Sequence, residues 1–105
     1  MRLPAADGRW RQFMLWREGV AHALDGGLWL HPFELRGEQW AHLVSSDRAA
    51  LVRVGELLGL REAWLQYRPL RHPATGKRVP AWHWDLRGHR LDRAFRLAAP
   101  KVRAP

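Results

Sequence analysis

The sequence predicts an α/β or α+β domain, in which a single small sheet of about four strands is covered by two or three helices. The chain has 105 residues, close to the commonest size of one domain. Hydrophobic residues make up 47% of it and charged residues only 27%, which excludes a disordered chain. Segments with strand-like alternation also occur between segments of helical period, as expected when helices cover a sheet.

The first 27 residues are predicted to form an extension that packs on this domain. In the segment RWRQFMLWREGVAHAL, Trp10, Phe13, Val20 and Leu24 lie near one stripe if the segment is helical. The alternative is a pair of short strands that turn at the Glu-Gly step. We prefer the helix. The string DGG that follows ends the segment.

Two strands are predicted next. The string LWLHPFEL should form a strand that ends near His31, because Pro32 lacks the amide hydrogen that a central strand uses for pairing. RGEQ supplies a turn. QWAHLV is predicted as the second strand, with Trp40, His42 and Val44 on one face.

A helix is predicted over RAALVRVGELLG. Ser45, Ser46 and Asp47 precede it, and all three are residue types that cap helix starts. Gly59 suits the left-handed position that ends a helix, and Gly55 inside the helix permits close packing. The apolar stripe at helical spacing consists of Ala50, Leu51, Val54, Leu57 and Leu58.

The last third is predicted to contain a strand at each end of a basic loop, and then a helix. EAWLQY is a short strand, RPLRHPATGKRVP is an irregular loop because prolines and glycine interrupt it, and PAWHWDLRG is the second strand. Alternation places Trp82, Trp84 and Leu86 on one face of that strand, and His83 and Asp85 on the other. A helix follows over about residues 87–99, and residues 100–105 form a flexible tail. The apolar face of this helix consists of Leu91, Ala94, Phe95 and Ala98.

The charge balance favours a polyanionic partner such as DNA or RNA. Lys and Arg number 18 against 10 Asp and Glu, which leaves a net charge of +8. Sixteen of these cations are Arg, a bias that GC-rich coding also produces, so composition leaves both explanations open. Single-stranded nucleic acid is bound by arginines with aromatic neighbours. The candidate binding residues are Arg68, Arg71, Lys77 and Arg78 of the basic loop, which lie near Tyr67 and Trp82, with Arg90 and Arg93 of the last helix in support.

The chain contains no cysteine, which excludes disulfides and thiolate zinc sites. The lack of disulfides fits the reducing cytoplasm. Its longest apolar runs are far shorter than a membrane span. We therefore expect a cytoplasmic protein with no membrane partner.

A second candidate site is formed by polar residues of the predicted strands, which could converge near the strand ends. The candidate catalytic residues are His42, Gln66, His83 and Asp85, and His31 can join them. A histidine with a positioned carboxylate can act as general acid or base. The same donors suit a divalent transition metal, although the sequence by itself assigns no metal ligand and no cofactor. The plainer alternative is a set of neutral histidines that form hydrogen bonds at the rim of the core.

The stretch WAHLVSSDRAALVRVGELLGLREAWLQ, followed by HWDL and a terminal helix, resembles a bacterial and phage family called domain of unknown function 4031. The shared pattern is Trp-x-His-Leu, Gly-Leu-x-x-x-Trp-x-Gln and His-aromatic-Asp, and the resemblance covers about residues 28–99. The family strand before the first motif ends in an acidic pair, where His31 and Pro32 stand here, and Val52 replaces a residue that is often polar. If those family residues belong to a metal or catalytic site, this chain has lost or rebuilt part of it. The resemblance implies no particular activity.

Three functions are open at this point. The first is a nucleic-acid-binding or polyanion-binding accessory protein that uses the basic loop. The alternative is a small enzyme that acts on a nucleotide or phosphodiester through a His/Asp acid–base or metal site. The third is a protein-binding module whose exposed tryptophans form a docking patch, although we expect most of the seven tryptophans to pack in the core.

Overall fold

The computed structural model describes residues 10–13 and 15–98. These residues form seven strands, three α-helices and one 3₁₀ turn. In chain order the elements are β1 (Trp10–Arg11), α1 (Trp16–Leu24), β2 (Leu28–Leu35), β3 (Glu38–Ser45), α2 (Arg48–Leu58), the 3₁₀ turn (Glu62–Trp64), β4 (Gln66–Tyr67), β5 (Leu70–Arg71), β6 (Arg78–Val79), β7 (Trp82–Arg87) and α3 (Gly88–Leu97).

The main sheet has the strand order β1-β2-β3-β7-β4. Among the strands of the described residues, only the short β1 pairs in parallel with its neighbour, and the remaining pairs are antiparallel. Strands β5 and β6 form a separate antiparallel hairpin. The predicted class is confirmed, since one small sheet with helices packed against it makes an α+β domain.

The sheet has two faces that are covered differently. The core face carries Leu43, Trp84 and Leu86, which pack with residues of α2 and α3 in the main hydrophobic cluster. The histidine face carries His42, His83 and Asp85. There α1 packs over β2 and β3, and a second apolar cluster consists of Val20, Ala23, Trp29 and Val44. Two helices therefore shield the core face, whereas one helix covers only part of the histidine face.

Glycines allow two helices to approach tryptophans of the sheet. A Cβ added at Gly55 of α2 would overlap the indole of Trp84, and one added at Gly19 of α1 would overlap that of Trp29. Both indoles are almost fully buried. The predicted close packing at Gly55 is confirmed, because any larger side chain would have to displace a buried ring.

The predicted α2 helix is confirmed together with its caps. The Asp47 carboxylate accepts a hydrogen bond of 3.0 Å from the amide of Ala50, and Gly59 ends the helix with a φ of 73°. The Ser46 hydroxyl donates instead to the carbonyl of Ala23 at 2.8 Å. Ser46 therefore ties the end of α1 to the start of α2 rather than capping α2 itself.

The N-terminal half differs from the prediction in two places. Trp10 lies in β1, and the helix begins only at Trp16. Strand β2 does not end near His31 but continues through Pro32 to Leu35. β1 pairs with β2 only at Leu28 and Trp29, so among the described residues no strand needs an amide hydrogen from Pro32 on that side.

The region between α2 and β7 is more regular than predicted. Residues 62–64 form a 3₁₀ turn, which leaves only Gln66–Tyr67 as the short strand. The basic loop contains the β5–β6 hairpin, so its prediction as irregular is wrong. Its prolines lie beside the two strands or in the connection between them, and none lies within a strand. The predicted apolar face of α3 is confirmed, with Leu91 and Ala94 buried. The helix ends at Leu97 rather than at residue 99, because Ala98 already has an extended backbone. The predicted tail lies outside the described residues.

Candidate functional site

The candidate catalytic residues lie on neighbouring strands of the histidine face. His42 on β3 is directly opposite Asp85 on β7, and on its other side His42 is opposite His31 on β2. His83 precedes Asp85 by two residues and is paired with Gln66 on β4. The predicted alternation along β7 is confirmed, because Trp84 and Leu86 are buried on the core face. The register of the sheet therefore brings these five residues close together on the histidine face.

The side chains converge on the Asp85 carboxylate. His42 Nδ1 lies 2.8 Å from Asp85 Oδ1. Gln66 Nε2 donates to the other oxygen, Oδ2, at 2.8 Å. His83 Nε2 is 3.4 Å from Oδ1. All four residues that the sequence suggested for catalysis thus belong to one cluster, which we call the His/Asp cluster and define as His42, Gln66, His83 and Asp85.

Aromatic neighbours hold the imidazoles in place. The Phe33 ring stacks on His42 with 4.5 Å between ring centroids, and the His83 ring meets His42 edge-on at 4.9 Å. The His31 ring is stacked at 6.3 Å from His42, and Trp16 packs edge-on against His31 at 4.9 Å. The His42 ring is therefore fixed by packing as well as by its contact with Asp85.

Burial favours the neutral form of two of these histidines. Burial lowers the pKa of His83, the nearby Asp85 carboxylate partly opposes this, and His42 and Arg68 lower the pKa further. Burial and, to a smaller degree, His42 lower the pKa of His31. Both imidazoles are consequently uncharged at neutral pH. Such groups can accept a proton or offer a lone pair to a ligand.

A cavity of about 430 Å³ opens on the histidine face beside the His/Asp cluster. Its walls combine imidazoles with guanidinium groups, and α1 contributes Trp16. The chemistry-bearing residues that line it are His31, His42, His83, Arg68, Arg71 and Arg78. The volume lies within the range typical of small-molecule sites. The two candidate sites of the sequence, the basic loop and the histidines, thus meet in one cavity.

The six candidate nucleic-acid-binding residues do not form one surface. Arg68, Arg71 and Arg78 line the cavity, whereas Lys77 is exposed in the turn of the β5–β6 hairpin. The remaining two, Arg90 and Arg93, lie on α3 at the core face.

Arg90 has a structural role at the end of α2. Its Nε donates to the carbonyl of Leu58 at 3.2 Å and its Nη2 donates to that of Gly59 at 3.3 Å. Its guanidinium also lies 5.7 Å from the ring centroid of Trp64. Arg90 therefore satisfies carbonyls that the end of a helix leaves without partners.

Trp16 is an exposed aromatic residue of the cavity wall that the sequence did not single out as a site residue. It is 60% exposed and contacts Trp29 and His31 by its ring. Its position in the cavity wall depends on where α1 packs on the sheet, and short-range sequence patterns do not predict that packing. Tyr67 and Trp82 pack together on the core face instead, so they do not flank the cavity as their sequence positions suggested.

The tryptophans whose side chains the structure describes divide between the core and the surface. Trp29 and Trp84 are almost fully buried, while Trp16 and Trp64 are exposed. The two exposed rings belong to different elements and have different neighbours: Trp16 packs on the histidine face, and Trp64 contacts Arg61 and Arg90. These contacts give no support to a single tryptophan docking patch.

Comparison of the chain with protein-family models, with curated proteins and with solved structures finds no match. Membership of the domain of unknown function 4031 family thus stays a prediction from the quoted motifs. Within the described part of the chain, none of the helices combines the length and the apolarity needed to cross a membrane.

We expect the free energy of unfolding to fall as the pH is lowered through about 6.5, because His31 and His83 have folded-state pKa values below the ordinary 6.5. Above this pH both imidazoles are neutral in the folded and in the unfolded chain, so their titration does not lower the free energy of unfolding. Below it the unfolded chain binds protons first, so stability is lost until the pH passes the lower folded-state values. Urea unfolding across this pH range, with a chelator present, measures the effect.

The substitution His31→Gln should make this fall shallower, since one of the two responsible imidazoles is removed. His89→Gln, a change at an exposed position of α3, controls for the loss of a histidine. An unchanged slope in His31→Gln would contradict the assignment.

Proposed function

We propose that this chain binds single-stranded nucleic acid through the cavity on the histidine face, with Arg68, Arg71 and Arg78 contacting phosphates. The observation that supports this proposal most is the pairing of Arg71 directly opposite Arg78 in the β5–β6 hairpin. Like charges at opposed positions destabilise a strand pair. A bound anion offsets the repulsion between Arg71 and Arg78. Anion binding therefore gives a reason for pairing two arginines at these positions.

These cations are also available to a ligand. All three arginines are exposed, and among the described residues no carboxylate lies within ion-pair distance of any of them. Arg71 Nη1 donates to the carbonyl of Gly76 at 2.6 Å, which orients the guanidinium while leaving other donors for a phosphate. The net charge of +8 adds long-range attraction.

Trp16 supplies the aromatic partner that a base requires. It lies in the wall of the same cavity as the three arginines, and its ring is largely exposed. Stacking on an aromatic ring is worth about 1–3 kcal/mol per base and is tolerant of sequence. We therefore propose binding with little sequence preference, in the cytoplasm, by a protein related to the bacterial and phage family named above.

The test is a salt titration of a fluorescently labelled, mixed-sequence single-stranded oligonucleotide, followed by anisotropy. Three phosphate contacts predict a slope of log affinity against log salt of about −2. Arg78→Ala should weaken binding at every salt concentration and make the slope shallower by about 0.7, because one contact is lost. Trp16→Ala should weaken binding and leave the slope unchanged.

Arg93→Ala is the matched control, since it removes the same charge from α3 on the other side of the sheet. It should leave both affinity and slope nearly unchanged. Absence of binding at low salt, a flat salt response, or an equal loss in Arg93→Ala and Arg78→Ala would each contradict the proposal.

A second candidate function is a small enzyme that acts on a nucleotide or phosphodiester. The observation that favours it is the contact of 2.8 Å between His42 and Asp85 in a cluster whose histidines line the same cavity as the arginines. In this function the arginines hold the phosphate, and the His/Asp cluster activates the attacking group. The test of this candidate is an Asp85 substitution, described in the Discussion.

A further inference from the structure

We infer that His42, His83 and Asp85 form a binding site for one divalent transition-metal ion of the zinc type. One potential ligand atom from each residue lies within 4.8 Å of the other two. The inference goes beyond nucleic-acid binding and depends on different side chains, because the arginines of the proposed phosphate site are not ligands of the metal ion.

Two of the three distances within the cluster are close to those of a metal site. Zinc lies about 2.0–2.2 Å from histidine nitrogen and carboxylate oxygen, so ligand atoms in a tetrahedral site are about 3.4 Å apart. His83 Nε2 and Asp85 Oδ1 are already 3.4 Å apart. His42 Nδ1 and Asp85 Oδ1 are 2.8 Å apart, so this pair must separate by roughly half an ångström in the tetrahedral arrangement. The ligand atoms of the two histidines lie within 4.8 Å of each other, so side-chain rotations must adjust this distance as well.

The surroundings of the three residues resemble the support that metal ligands receive in proteins. Gln66 donates to Asp85 Oδ2, which fixes the carboxylate and leaves Oδ1 directed at the two histidines. Phe33 stacks on the His42 ring. The His83 side chain is only 9% exposed, and burial favours the neutral imidazole that a metal ion requires. Because β3 and β7 are paired neighbours, the sheet itself holds the ligands together.

The donor set selects the class of metal. Two imidazoles and one carboxylate suit zinc and similar first-row divalent ions, whereas magnesium and calcium prefer oxygen ligands. Three protein ligands leave a further coordination position for water or a substrate oxygen, as in catalytic rather than structural zinc sites. The neighbouring cavity with its three arginines is where a phosphate oxygen would approach that position. An ion held there would polarise the phosphate and acidify a bound water.

The test is isothermal titration of the chelator-treated full chain with Zn²⁺, repeated with Mg²⁺, and an absorption spectrum with Co²⁺ as the probe. We expect one Zn²⁺ per chain, no comparable Mg²⁺ binding, and the intense visible bands of low-coordinate Co²⁺. His42→Ala and Asp85→Asn each remove a ligand and should weaken Zn²⁺ binding by more than about 100-fold. Gln66→Ala should weaken it by about 10- to 100-fold, because the carboxylate loses its support.

His89→Ala, at an exposed histidine away from the cluster, is the matched control and should keep the affinity of the unchanged chain. Circular dichroism of each variant shows whether it is folded, and the half-exposed His42 and Asp85 provide two independent ligand substitutions that spare the core. Failure of Zn²⁺ to bind stoichiometrically, equal affinity for Mg²⁺, or unchanged affinity in Asp85→Asn would overturn the inference. Oligonucleotide binding by the same metal-free preparation would then still support the proposed function, so the two can fail separately.

Discussion

Replacing Trp84 with alanine is expected to lower the free energy of unfolding by about 3–5 kcal/mol, the loss typical of deleting a buried aromatic side chain. Trp84 is 1% exposed at the centre of the main cluster. Its Nε1 donates to the carbonyl of Leu51 at 2.8 Å, and Gly55 gives the ring its space under α2. Rigid packing on both sides prevents the neighbours from collapsing into the cavity that the substitution leaves.

Urea unfolding monitored by circular dichroism measures this change. Since small domains are stable by only about 5–15 kcal/mol, the variant should lose a large fraction of its free energy of unfolding. Trp64→Ala is the matched control: this ring is 47% exposed and contacts the guanidinium groups of Arg61 and Arg90, so its loss should cost about 1 kcal/mol or less. Equal losses in the two variants would show that Trp84 is not the centre of the core.

If the second candidate function is correct, Asp85→Asn should lower turnover of a phosphodiester by about 100- to 10,000-fold, the usual range for loss of general acid–base catalysis. Asp85 is the group on which His42, His83 and Gln66 converge. An amide of the same size keeps the volume but removes the charge that polarises His42. Turnover of bis(p-nitrophenyl) phosphate, followed by nitrophenolate absorbance, is the measurement.

Asp92→Asn, at an exposed site on α3, removes the same charge away from the cavity and should leave turnover unchanged. Arg78→Ala should raise KM more than it lowers kcat, because this arginine is assigned to phosphate binding. No turnover above buffer by the unchanged chain, with or without added Zn²⁺, would remove the enzyme from consideration. That result would not test oligonucleotide binding, which is measured separately by the salt titration.

The His/Asp cluster and the arginines are separable by these variants although they share one cavity. Arg78→Ala acts on phosphate contacts and so on the salt dependence of binding. Asp85→Asn acts on the imidazoles and so on turnover or metal affinity. A chain in which only the arginine variant has an effect would be a binding protein. Its histidines would then be neutral structural groups that form hydrogen bonds at the rim of the core, the plainer alternative that the sequence left open.

Local patterns predicted a substantial part of the fold. The α2 helix was predicted with Asp47 before its first residue and Gly59 after its last, because caps and helical period are properties of neighbouring residues. The alternation in β7 placed His83 and Asp85 on one face for the same reason. The β5–β6 hairpin was missed, since two-residue strands carry too little alternation to be recognised.

The sequence by itself determined that helices cover one small sheet, in an α/β or α+β class, and it determined the strong positive charge and the residues on each face of β3 and β7, since these depend on composition and on short-range periodicity. Only the tertiary structure decided that His42 pairs with Asp85, that α1 carries Trp16 to the cavity, and that Arg90 donates to the carbonyl of Leu58 at the end of α2. Strand register and helix packing join residues far apart in the chain. Such contacts depend on the combined burial of many side chains, so no local stretch of sequence encodes them.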